Sequence, residues 1–335
     1  MSERVVENLN RSLKALMAAD TSVYFIGEDV LDPYGGAFKV SRGLSGSFPE
    51  RVFSTPISEA GIMGLAGGLA LAGQKAIVEL MFGDFIFLAF DQIINFASKS
   101  VTMYGETLPY HLLVRCPVGG NRGYGATHSQ SVQKFFIGIP NLALYELSPL
   151  HDNNVWIPKL MNCGQPCVLF ENKILYTQPQ LGPGPVDDLF QVDFLDAAGL
   201  MARACIEPDP AGKVLLLAPG GMFHACLKAA RQLFLEQEIE VQIVVPLQLY
   251  PFPAESLREL LPQYRAIHVV EESTAGGTWG AEVTATIQKI FAGNFPRPIH
   301  LIHSLDSIIP SARHLESEVL VQPDTIVKAV SGRAT

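Results

Sequence analysis

The chain has 335 residues, 48% of them hydrophobic, and 24 Lys and Arg residues against 33 Asp and Glu residues give it a net charge of −9. No basic run interrupts this acidic balance, which argues against nucleic acid and anionic membranes as partners. The N-terminus lacks a signal-peptide pattern, and no apolar stretch reaches the ~20 residues that a membrane-spanning helix needs. We therefore expect a soluble, cytoplasmic protein whose length favours two domains.

The first half of the chain alternates helical and strand patterns. This alternation is typical of a mostly parallel sheet covered by helices, which places the domain in the α/β class. In chain order we predict a helix over 5–19, the strand Val23–Ile26 leading into Glu28, the helix Ala60–Gly73, the strand Ala76–Leu80, a long helix from Asp84 to about Lys99, the strand Tyr110–Arg115, a glycine-rich loop over 116–125, a helix opening at His128, and the strands Ala143–Glu146 and Cys167–Glu171.

Residues 177–198 open with a run rich in proline and glycine and are predicted to form a linker. A second α/β series follows, so we predict two doubly wound domains, over 1–176 and 199–335. The expected elements of the second domain are the strand Val214–Ala218, a helix over 223–235, the strand Val241–Val245, a helix over 253–261, the strand Ala266–Val270, a helix over 279–291 and the strand Pro298–Ile302.

The five cysteines are an odd number in a long chain, which does not suggest a disulfide framework. Cys163 and Cys167 are four residues apart, but no second pair of cysteines or histidines completes a zinc site. We interpret all five as free thiols and predict no metal ligands in this chain.

The helix Ala60–Gly73 is apolar or glycine at every position. Ala60, Gly64, Gly68 and Ala72 recur every four residues and share one face that has almost no side chains. Each interior glycine lowers helix stability by roughly 1 kcal/mol relative to alanine, so close packing against another backbone is expected to compensate. Ser58 is a candidate N-cap, and Glu59 stands at the mouth of this apolar helix.

Several polar groups follow predicted strands, at the edge where an open α/β sheet binds ligands. They include Glu28, Glu59 and His128. A purely structural role is also consistent with each pattern: Glu59 as an acid favoured by the helix dipole, Glu28 as part of a turn, and His128 as a cap or core histidine. Phe85 fits simple core packing as well. Spacing alone leaves these alternatives open.

Five segments together resemble one family, the β subunits of thiamine-diphosphate-dependent 2-oxoacid dehydrogenases (the first components of the pyruvate, branched-chain and acetoin dehydrogenases). They occur in the family's order, and the resemblance covers nearly the whole chain, with its strongest motifs in residues 24–176. The segments are Gly27-Glu28-Asp29-Val30, Tyr34-Gly35-Gly36-Ala37-Phe38-Lys39-Val40, Thr55-Pro56-Ile57-Ser58-Glu59-Ala60-Gly61, Asp84-Phe85-Ile86-Phe87-Leu88-Ala89-Phe90-Asp91-Gln92-Ile93 and His128-Ser129-Gln130-Ser131.

The resemblance implies a transketolase-like pyrimidine-binding domain followed by a transketolase C-terminal-like domain. It implies that Glu59 hydrogen-bonds a pyrimidine ring nitrogen and favours the imino tautomer, which removes the proton from the thiazolium carbon. It also places Phe85 against the pyrimidine, where tyrosine is frequent, Ile57 in the lining of the pyrimidine pocket, and Glu28 near the cofactor. His128 matches the histidine that assists acyl transfer to the lipoyl group.

The family holds the diphosphate and Mg²⁺ on an α subunit through a Gly-Asp-Gly motif with a downstream asparagine. Gly83-Asp84-Phe85 is the nearest stretch here and is not that motif. The resemblance therefore implies half an active site, an α partner in an α₂β₂ tetramer, and a lipoyl acyltransferase as acyl acceptor.

Three departures from the family pattern bear on the substrate and the partners. The potassium-site positions that usually carry aspartate and asparagine read Cys163 and Gln165, so potassium binding is doubtful. The usual Asp-Leu-Arg-Thr-Leu run reads Val-Pro-Leu-Gln-Leu over 245–249, and the loop over 121–125 is also not the commonest version. Two alternatives stay open: thiamine-dependent acyl or aldehyde transfer to a carrier protein, and a non-catalytic assembly paralogue, against which the retained Glu59, His128 and aromatic Phe85 argue.

Overall fold

In the computed structural model, which describes residues 3–332, the chain forms two compact units, each with its own β-sheet. The first unit contains the residues up to Val118 together with Gly138–Tyr145 and Asp152–Gln180. The second contains Gly119–Ile137, Glu146–His151 and the residues from Leu181 onward. The α/β class predicted for both halves is confirmed.

The first unit alternates strands with helices, as its sequence predicts. The amphipathic helix α1 buries Val5, Leu9 and Leu13 on one side. The elements are α1 (Val5–Ala19), β1 (Val23–Gly27), α2 (Leu44–Ser47), β2 (Val52–Ser54), α3 (Glu59–Leu71), β3 (Lys75–Glu79), α4 (Ser98–Ser100), β4 (Leu112–Val118), β5 (Ala143–Glu146), α5 (Asn153–Met161) and β6 (Cys167–Asn172).

The strands of the first unit lie in the order β5-β6-β4-β3-β1-β2. The pairs β1–β2, β1–β3, β3–β4 and β4–β6 are parallel. Their burial is continuous rather than alternating: every residue of β4 and β6 is buried. Such strands are covered on both faces, which explains why β4 and β6 are mainly apolar, interrupted only by Arg115 in β4 and by Glu171 and Asn172 in β6. The carboxyl ends of β1, β2 and β3 consequently meet at one edge.

The long helix predicted from Asp84 to Lys99 is helical but not a regular α-helix. Gly83–Ala89 winds as a tight 3₁₀-helix and Gln92–Ala97 as a wide π-helix, before α4 ends the segment. Runs of 3₁₀-helix longer than three or four residues are uncommon, and π-helical turns occur frequently at functional sites. The predicted helical segment is confirmed in its extent, and its change of winding along the way was not predicted.

The helix predicted to open at His128 does not form. The structure has an irregular loop there, followed by a short 3₁₀ turn at Gln133–Phe136. Buried Glu272 supplies the reason, because its carboxylate accepts hydrogen bonds from Gly120 N (2.8 Å), Asn121 Nδ2 (3.1 Å) and Ser131 Oγ (2.9 Å). These contacts tie Gly120, Asn121 and Ser131, at the two ends of the loop, to one carboxylate.

The second unit has a mixed sheet in the order β14-β13-β10-β11-β9-β8-β7. The pairs among β10, β11, β13 and β14 are parallel, whereas β7, β8 and β9 add antiparallel pairs that the sequence did not predict. Its elements are β7 (Gly184–Pro185), β8 (Gln191–Phe194), β9 (Met201–Cys205), β10 (Val214–Leu217), α6 (Phe223–Gln237), β11 (Val241–Pro246), β12 (Gln248–Tyr250), β13 (Ala266–Thr274), α7 (Trp279–Ile290), β14 (Ile299–Ser304), α8 (Arg313–Val319) and α9 (Pro323–Ser331).

Two further differences concern the second unit. Strands β7 and β8 lie inside the range 177–198 predicted as a linker, so that range contributes to the second sheet. The helix predicted over 253–261 is replaced by 3₁₀ turns at Ala254–Leu257 and Leu261–Gln263. Over the described residues 3–332, no helix has both the length and the apolar character needed to cross a bilayer.

Candidate functional site

The site begins where β1, β2 and β3 end together in the first unit. In the parallel register Gly27 is opposite Ser54 on one side and Glu79 on the other. Thr55 N extends the pairing by donating to Gly27 O over 3.0 Å. Glu28 and the segment leading to Glu59 therefore lie at the same sheet edge, which is where open α/β sheets bind ligands.

Only glycine fits at position 27, because the neighbouring atoms leave no space for a Cβ atom. A Cβ atom on Gly27 would lie 2.7 Å from the Glu79 carbonyl oxygen and 2.8 Å from Val30 Cγ1. Neither contact can be relieved cheaply, because one involves backbone and the other a stiff branched side chain. The close approach fixes the start of the segment that carries Glu28.

Glu28 is buried, with 5% of its surface exposed. Its Oε1 accepts a hydrogen bond from Ser58 N at 3.3 Å. Burial and, next, the negative charge of Glu59 raise the pKa of the Glu28 carboxyl, while the Ser58 amide opposes the shift. Two neighbouring carboxyl groups at one sheet edge are an arrangement that favours proton sharing with a ligand.

Glu59 is the first residue of α3 and is 4% exposed. The predicted N-cap is confirmed, since Ser58 Oγ accepts from Gly61 N at 3.3 Å. Among residues 3–332, no side chain or backbone group forms a hydrogen bond or ion pair with the Glu59 carboxylate. A buried carboxylate without a protein donor is an acceptor open to an N–H group of a ligand.

Two apolar residues of the predicted site are Ile57, between the two acids in sequence, and Phe85, after them. Ile57 is 79% exposed, an unusual degree for a large aliphatic side chain. Phe85 is half-buried in the 3₁₀-helix, with its ring centroid 6.3 Å from that of Phe82 in an edge-to-face arrangement. Phe82 in turn meets Phe38 edge to face at 5.4 Å. These contacts hold Phe82 and Phe85 in defined positions.

His128 belongs to the second unit, whereas Glu28, Ile57, Glu59 and Phe85 belong to the first. Its ring is half-buried, and Nδ1 lies 2.9 Å from Thr127 Oγ1. When the threonine hydroxyl donates to Nδ1, the proton of the neutral ring is on Nε2. In that tautomer Nε2 can act as a proton donor.

The first unit contains a buried ionic network that was not predicted from the sequence. Arg115 Nε and NH2 donate to the two carboxylate oxygens of Glu171 over 2.8 and 2.7 Å, and NH1 forms an ion pair with Glu79. Tyr176 OH donates to Glu171 Oε2 at 2.6 Å. The available signal was an ionisable residue at or after the middle of each of the adjacent strands: Glu79 in β3, Arg115 in β4 and Glu171 in β6.

The network also shifts the pKa values of its own charged groups. Burial opposes the positive charge of Arg115, but the carboxylates of Glu171 and Glu79 raise the guanidinium pKa. Burial, together with the Glu171 charge, raises the pKa of Glu79 even though Arg115 opposes that change. Arg115 therefore stays charged and holds β3, β4 and β6 together.

The small-residue face of α3 is largely exposed over the described residues 3–332. Ala60, Gly68 and Ala72 are exposed and Gly64 is half-buried, whereas the opposite face of the helix is buried through Ile62, Met63, Ala66 and Ala70. A Cβ atom on Gly68 would meet nothing within 4 Å. Leu65, beside this face, is 51% exposed.

Family comparison assigns both halves of the chain. The model of the transketolase pyrimidine binding domain matches residues 4–179, and that of the transketolase C-terminal domain matches residues 204–326. A solved structure described as a split gene transketolase, inactive beta4 tetramer, aligns with a TM-score of 0.72 at 18% identity. It covers 99% of this chain and 98% of that chain, and at this identity the likeness shows the fold.

Curated relatives cover nearly the full chain. The mitochondrial pyruvate dehydrogenase E1 component subunit beta-2 of Oryza sativa subsp. japonica is 30% identical over 328 residues, which are 97% of this chain and 84% of the relative. The beta subunit of the acetoin:2,6-dichlorophenolindophenol oxidoreductase of Bacillus subtilis (strain 168) is 30% identical over 331 residues, which are 95% of this chain and 93% of the relative. The chain belongs to the family of β subunits of the thiamine-diphosphate-dependent 2-oxoacid dehydrogenase first components.

Proposed function

We propose that this chain, paired with an α subunit, decarboxylates a 2-oxoacid with thiamine diphosphate and passes the acyl group to a lipoyl group. The observation that carries the proposal is Glu59: a carboxylate that is 4% exposed, at a helix N-terminus, with no donor among residues 3–332. The family membership supports the reaction class, and the sheet-edge position of Glu59 supports its role.

The residues at this edge fit an aminopyrimidine. A ring nitrogen that carries a proton would give the Glu59 carboxylate the hydrogen bond that the protein does not supply. Phe85 offers an aromatic face, and the exposed Ile57 side chain offers apolar surface that a ligand or partner would cover. Glu28 would stand close to the same ligand.

Thiamine diphosphate, when bound, supplies a nucleophilic carbon that adds to the 2-oxo group and then takes up the electrons released as carbon dioxide leaves. Glu59 would accept a hydrogen bond from the pyrimidine ring nitrogen. Burial strengthens that bond, because few water molecules compete for it. Glu59 stands in the first turn of α3, where the positive end of the helix dipole lies next to a carboxylate.

Glu28 would be a positioning residue in this scheme. Its Oε1 holds Ser58 N at 3.3 Å, and Ser58 caps the helix that begins with Glu59. The Glu28 carboxyl has a raised pKa, caused by burial and by Glu59, so it takes up a proton more readily than an exposed glutamate. A protonated Glu28 would spare Glu59 the repulsion of a second charge.

The diphosphate and Mg²⁺ require groups from the α subunit. In this chain the nearest sequence, Gly83-Asp84-Phe85, lies inside the 3₁₀-helix, and Asp84 is 8% exposed. The exposed small-residue face of α3 supports close packing with such a partner, since a second backbone could approach Gly68 without a side-chain collision. We propose an α₂β₂ assembly on this basis.

His128 would serve the acyl-transfer half of the reaction. Its Nδ1 lies 2.9 Å from Thr127 Oγ1, and an imidazole ring can carry a proton on either nitrogen. A proton donor there would stabilise the charge that develops on the lipoyl sulfur or the acyl oxygen during transfer. This role is separable from decarboxylation.

The test uses the chain co-expressed with an α-like subunit that carries the Gly-Asp-Gly motif. Glu59→Gln should lower 2-oxoacid decarboxylation by about 10²–10⁴-fold, because the amide cannot act as a charged acceptor. Calorimetric titration of the Glu59→Gln assembly with thiamine diphosphate should also show weaker binding than the wild-type assembly. Exposed Glu50, also in the first unit, provides the control Glu50→Gln, which should leave both measurements unchanged.

Full decarboxylation by the Glu59→Gln assembly would contradict the proposal. The acyl acceptor is tested separately, by offering the wild-type assembly either a lipoyl domain or an acyl carrier protein in the presence of the 2-oxoacid. Acylation of the lipoyl domain alone supports the proposal, whereas acylation of the carrier alone assigns the chain to a biosynthetic transferase. An assembly that binds no thiamine diphosphate would indicate the non-catalytic paralogue.

A further inference from the structure

Two cysteines face each other where α5 leads into β6. The Sγ atoms of Cys163 and Cys167 are 3.0 Å apart. A disulfide bond is about 2.05 Å long, so the two sulfur atoms are about 1 Å from bonding distance. Cys163 is exposed and Cys167 is buried, which gives one sulfur access to solvent and leaves the other behind it.

The backbone between the two cysteines already holds them together. Gln165 O accepts from Cys163 Sγ at 3.2 Å and from Cys167 Sγ at 3.5 Å. The same loop is fixed from outside: Gly164 O accepts from Tyr110 N at 2.9 Å, and Pro166 O accepts from Ala143 N at 3.1 Å. The pair is therefore preorganised rather than brought together by chance motion.

The two thiols differ in reactivity: one forms the nucleophilic thiolate more readily than the other, as the first step of disulfide formation requires. The hydrogen bond with Cys167 lowers the pKa of the exposed Cys163 thiol to about 7, against the opposing effect of burial. The same contact and burial raise the pKa of Cys167 well above its usual value. The thiolate is the nucleophile in sulfur chemistry, so Cys163 reacts first.

The surroundings do not suggest a metal thiolate site. In the part of the chain that the structure describes, no three His, Cys, Asp or Glu side chains are grouped as metal ligands. The other three cysteines, Cys116, Cys205 and Cys226, are buried. Burial raises the pKa of each of them, which makes them inert in comparison.

We propose that Cys163 and Cys167 form a redox-sensitive modification site that a peroxide converts into a reversible disulfide. The Cys163 thiolate attacks a peroxide oxygen, the O–O bond breaks, and a sulfenic acid and hydroxide result. Cys167 then loses its proton and attacks the Cys163 sulfur; the S–S bond forms, the S–O bond breaks, and water leaves. With hydrogen peroxide, the two thiols are oxidised by two electrons and the peroxide is reduced to two molecules of water.

The bond would fix the loop that joins α5 to β6. The carbonyl groups of Gly164 and Pro166 accept from Tyr110 N and Ala143 N, so these two amides report on the loop from neighbouring parts of the first unit. Oxidation should slow hydrogen exchange at both amides, because a closed loop opens less often. Exchange in α7 of the second unit should stay unchanged.

The experiment treats the 335-residue chain with stoichiometric hydrogen peroxide and alkylates the remaining thiols under denaturing conditions. The peptides are then mapped by mass spectrometry. We expect the free thiols to fall from the five of the reduced chain to three (5 − 2), with one disulfide joining Cys163 to Cys167. Dithiothreitol should restore all five.

Variants sharpen the test. Cys163→Ser should lose no thiol under the same treatment, and Cys167→Ser should accumulate a sulfenic acid at Cys163 that dimedone traps. The matched control Cys205→Ser should still form the disulfide. Oxidation of Cys163 to sulfinic acid without a link in the wild-type chain, or a link to any other cysteine, would overturn the proposal.

Discussion

Arg115 and Glu171 are joined by two parallel hydrogen bonds in the interior of the first unit, from Nε to Oε1 at 2.8 Å and from NH2 to Oε2 at 2.7 Å. Both side chains are completely buried. Such a fork fixes direction as well as distance, so it sets the relative positions of β4 and β6. Glu79, on the other side of Arg115, ties β3 to the same guanidinium.

Removing the guanidinium should destabilise the chain severely. In Arg115→Met, Glu79 and Glu171 lose their common counter-ion while remaining buried, and we expect the free energy of unfolding to fall by roughly 3–5 kcal/mol. Urea denaturation followed by circular dichroism measures the change. The control Arg231→Met breaks an ion pair with Asp188, whose side chain is 71% exposed, and should change the free energy of unfolding far less, because solvent screens an exposed pair. Equal losses in the two variants would contradict the importance of the buried fork.

Two adjacent glycines of α3 should respond to alanine in opposite ways. A Cβ atom on Gly67 would lie 2.5 Å from Phe96 Cε1 and 2.7 Å from Tyr110 OH, whereas one on Gly68 meets nothing within 4 Å. In the isolated chain we expect Gly67→Ala to lower stability by about 1–3 kcal/mol through overpacking. Gly68→Ala should raise it by up to about 1 kcal/mol through helix propensity. Urea denaturation of both variants decides; shifts in the same direction would refute this account of the helix.

The exposed face of α3 should matter for assembly rather than for the fold of this chain. Gly68→Leu places a large side chain where nothing lies within 4 Å in the single chain, so its unfolding should change little. If an α subunit packs closely on this face, its dissociation constant should rise at least about tenfold, which corresponds to 1.4 kcal/mol. Sedimentation of the co-expressed subunits measures the effect. Exposed Ala281 on α7 provides the control Ala281→Leu, and equal assembly of both variants would place the partner elsewhere.

His128→Gln should separate the two halves of the proposed reaction. Decarboxylation followed with an artificial electron acceptor should be retained, while acyl transfer to a lipoyl domain should fall by about 10²–10⁴-fold, because the proton donor is lost. His314, also in the second unit and exposed, provides the control His314→Gln. An equal loss in both steps would assign His128 to cofactor binding or to the fold.

Buried Glu146 should make the second unit less stable as pH rises. Burial raises its pKa from 4.5 to about 7, with a smaller contribution from the neighbouring carboxylates of Glu272 and Glu271, while hydrogen bonds from Gly221 N and Gln133 Nε2 oppose the shift. The folded chain thus binds this proton more tightly than the unfolded chain does. The corresponding stability is present below pH 4.5 and is lost as pH rises to about 7.

The measurement compares wild type with Glu146→Gln in urea at several pH values across that window. The difference in the free energy of unfolding between wild type and Glu146→Gln should change by up to roughly 3 kcal/mol. The wild type should become less stable relative to the variant as pH rises. The glutamine can be accommodated because Gln133 Oε1 has no hydrogen-bond partner in the described part of the chain and can accept from the new amide. The exposed variant Glu259→Gln should keep the pH dependence of the wild type.

What the sequence predicted well rests on local interactions. The start of α3 follows from one residue, Ser58, whose side chain caps the helix, and from an uninterrupted apolar run behind it. The strands of the first unit were found because buried parallel strands are mainly apolar, with few charged residues such as Arg115 and Glu171. Glu28 and Glu59 were predicted at one sheet edge, and both are buried there.

What the sequence missed rests on contacts between distant residues. The loop before His128 is organised by Glu272, about 150 positions away, and no local pattern near Gly120 announces that carboxylate. The partners of Arg115 depend on the register of β3, β4 and β6, in which β6 lies next to β4 although β5 precedes it in the chain. Each charge alone looked like an ordinary strand residue.

The side chains of the 3₁₀-helix at Gly83–Ala89 form three straight rows along its axis, and the helix is in effect a three-sided rod. The rows arise because residues three apart in a 3₁₀-helix lie directly above one another. One edge of the rod, Gly83, Ile86 and Ala89, is buried at every level. The edge formed by Phe82, Phe85 and Leu88 runs from half-buried at Phe82 and Phe85 to 62% exposed at Leu88. A single residue inserted in this 3₁₀-helix would rotate every side chain after it by about one third of a turn. An insertion before Phe85 would therefore move its aromatic ring from the partly exposed edge to another side of the helix.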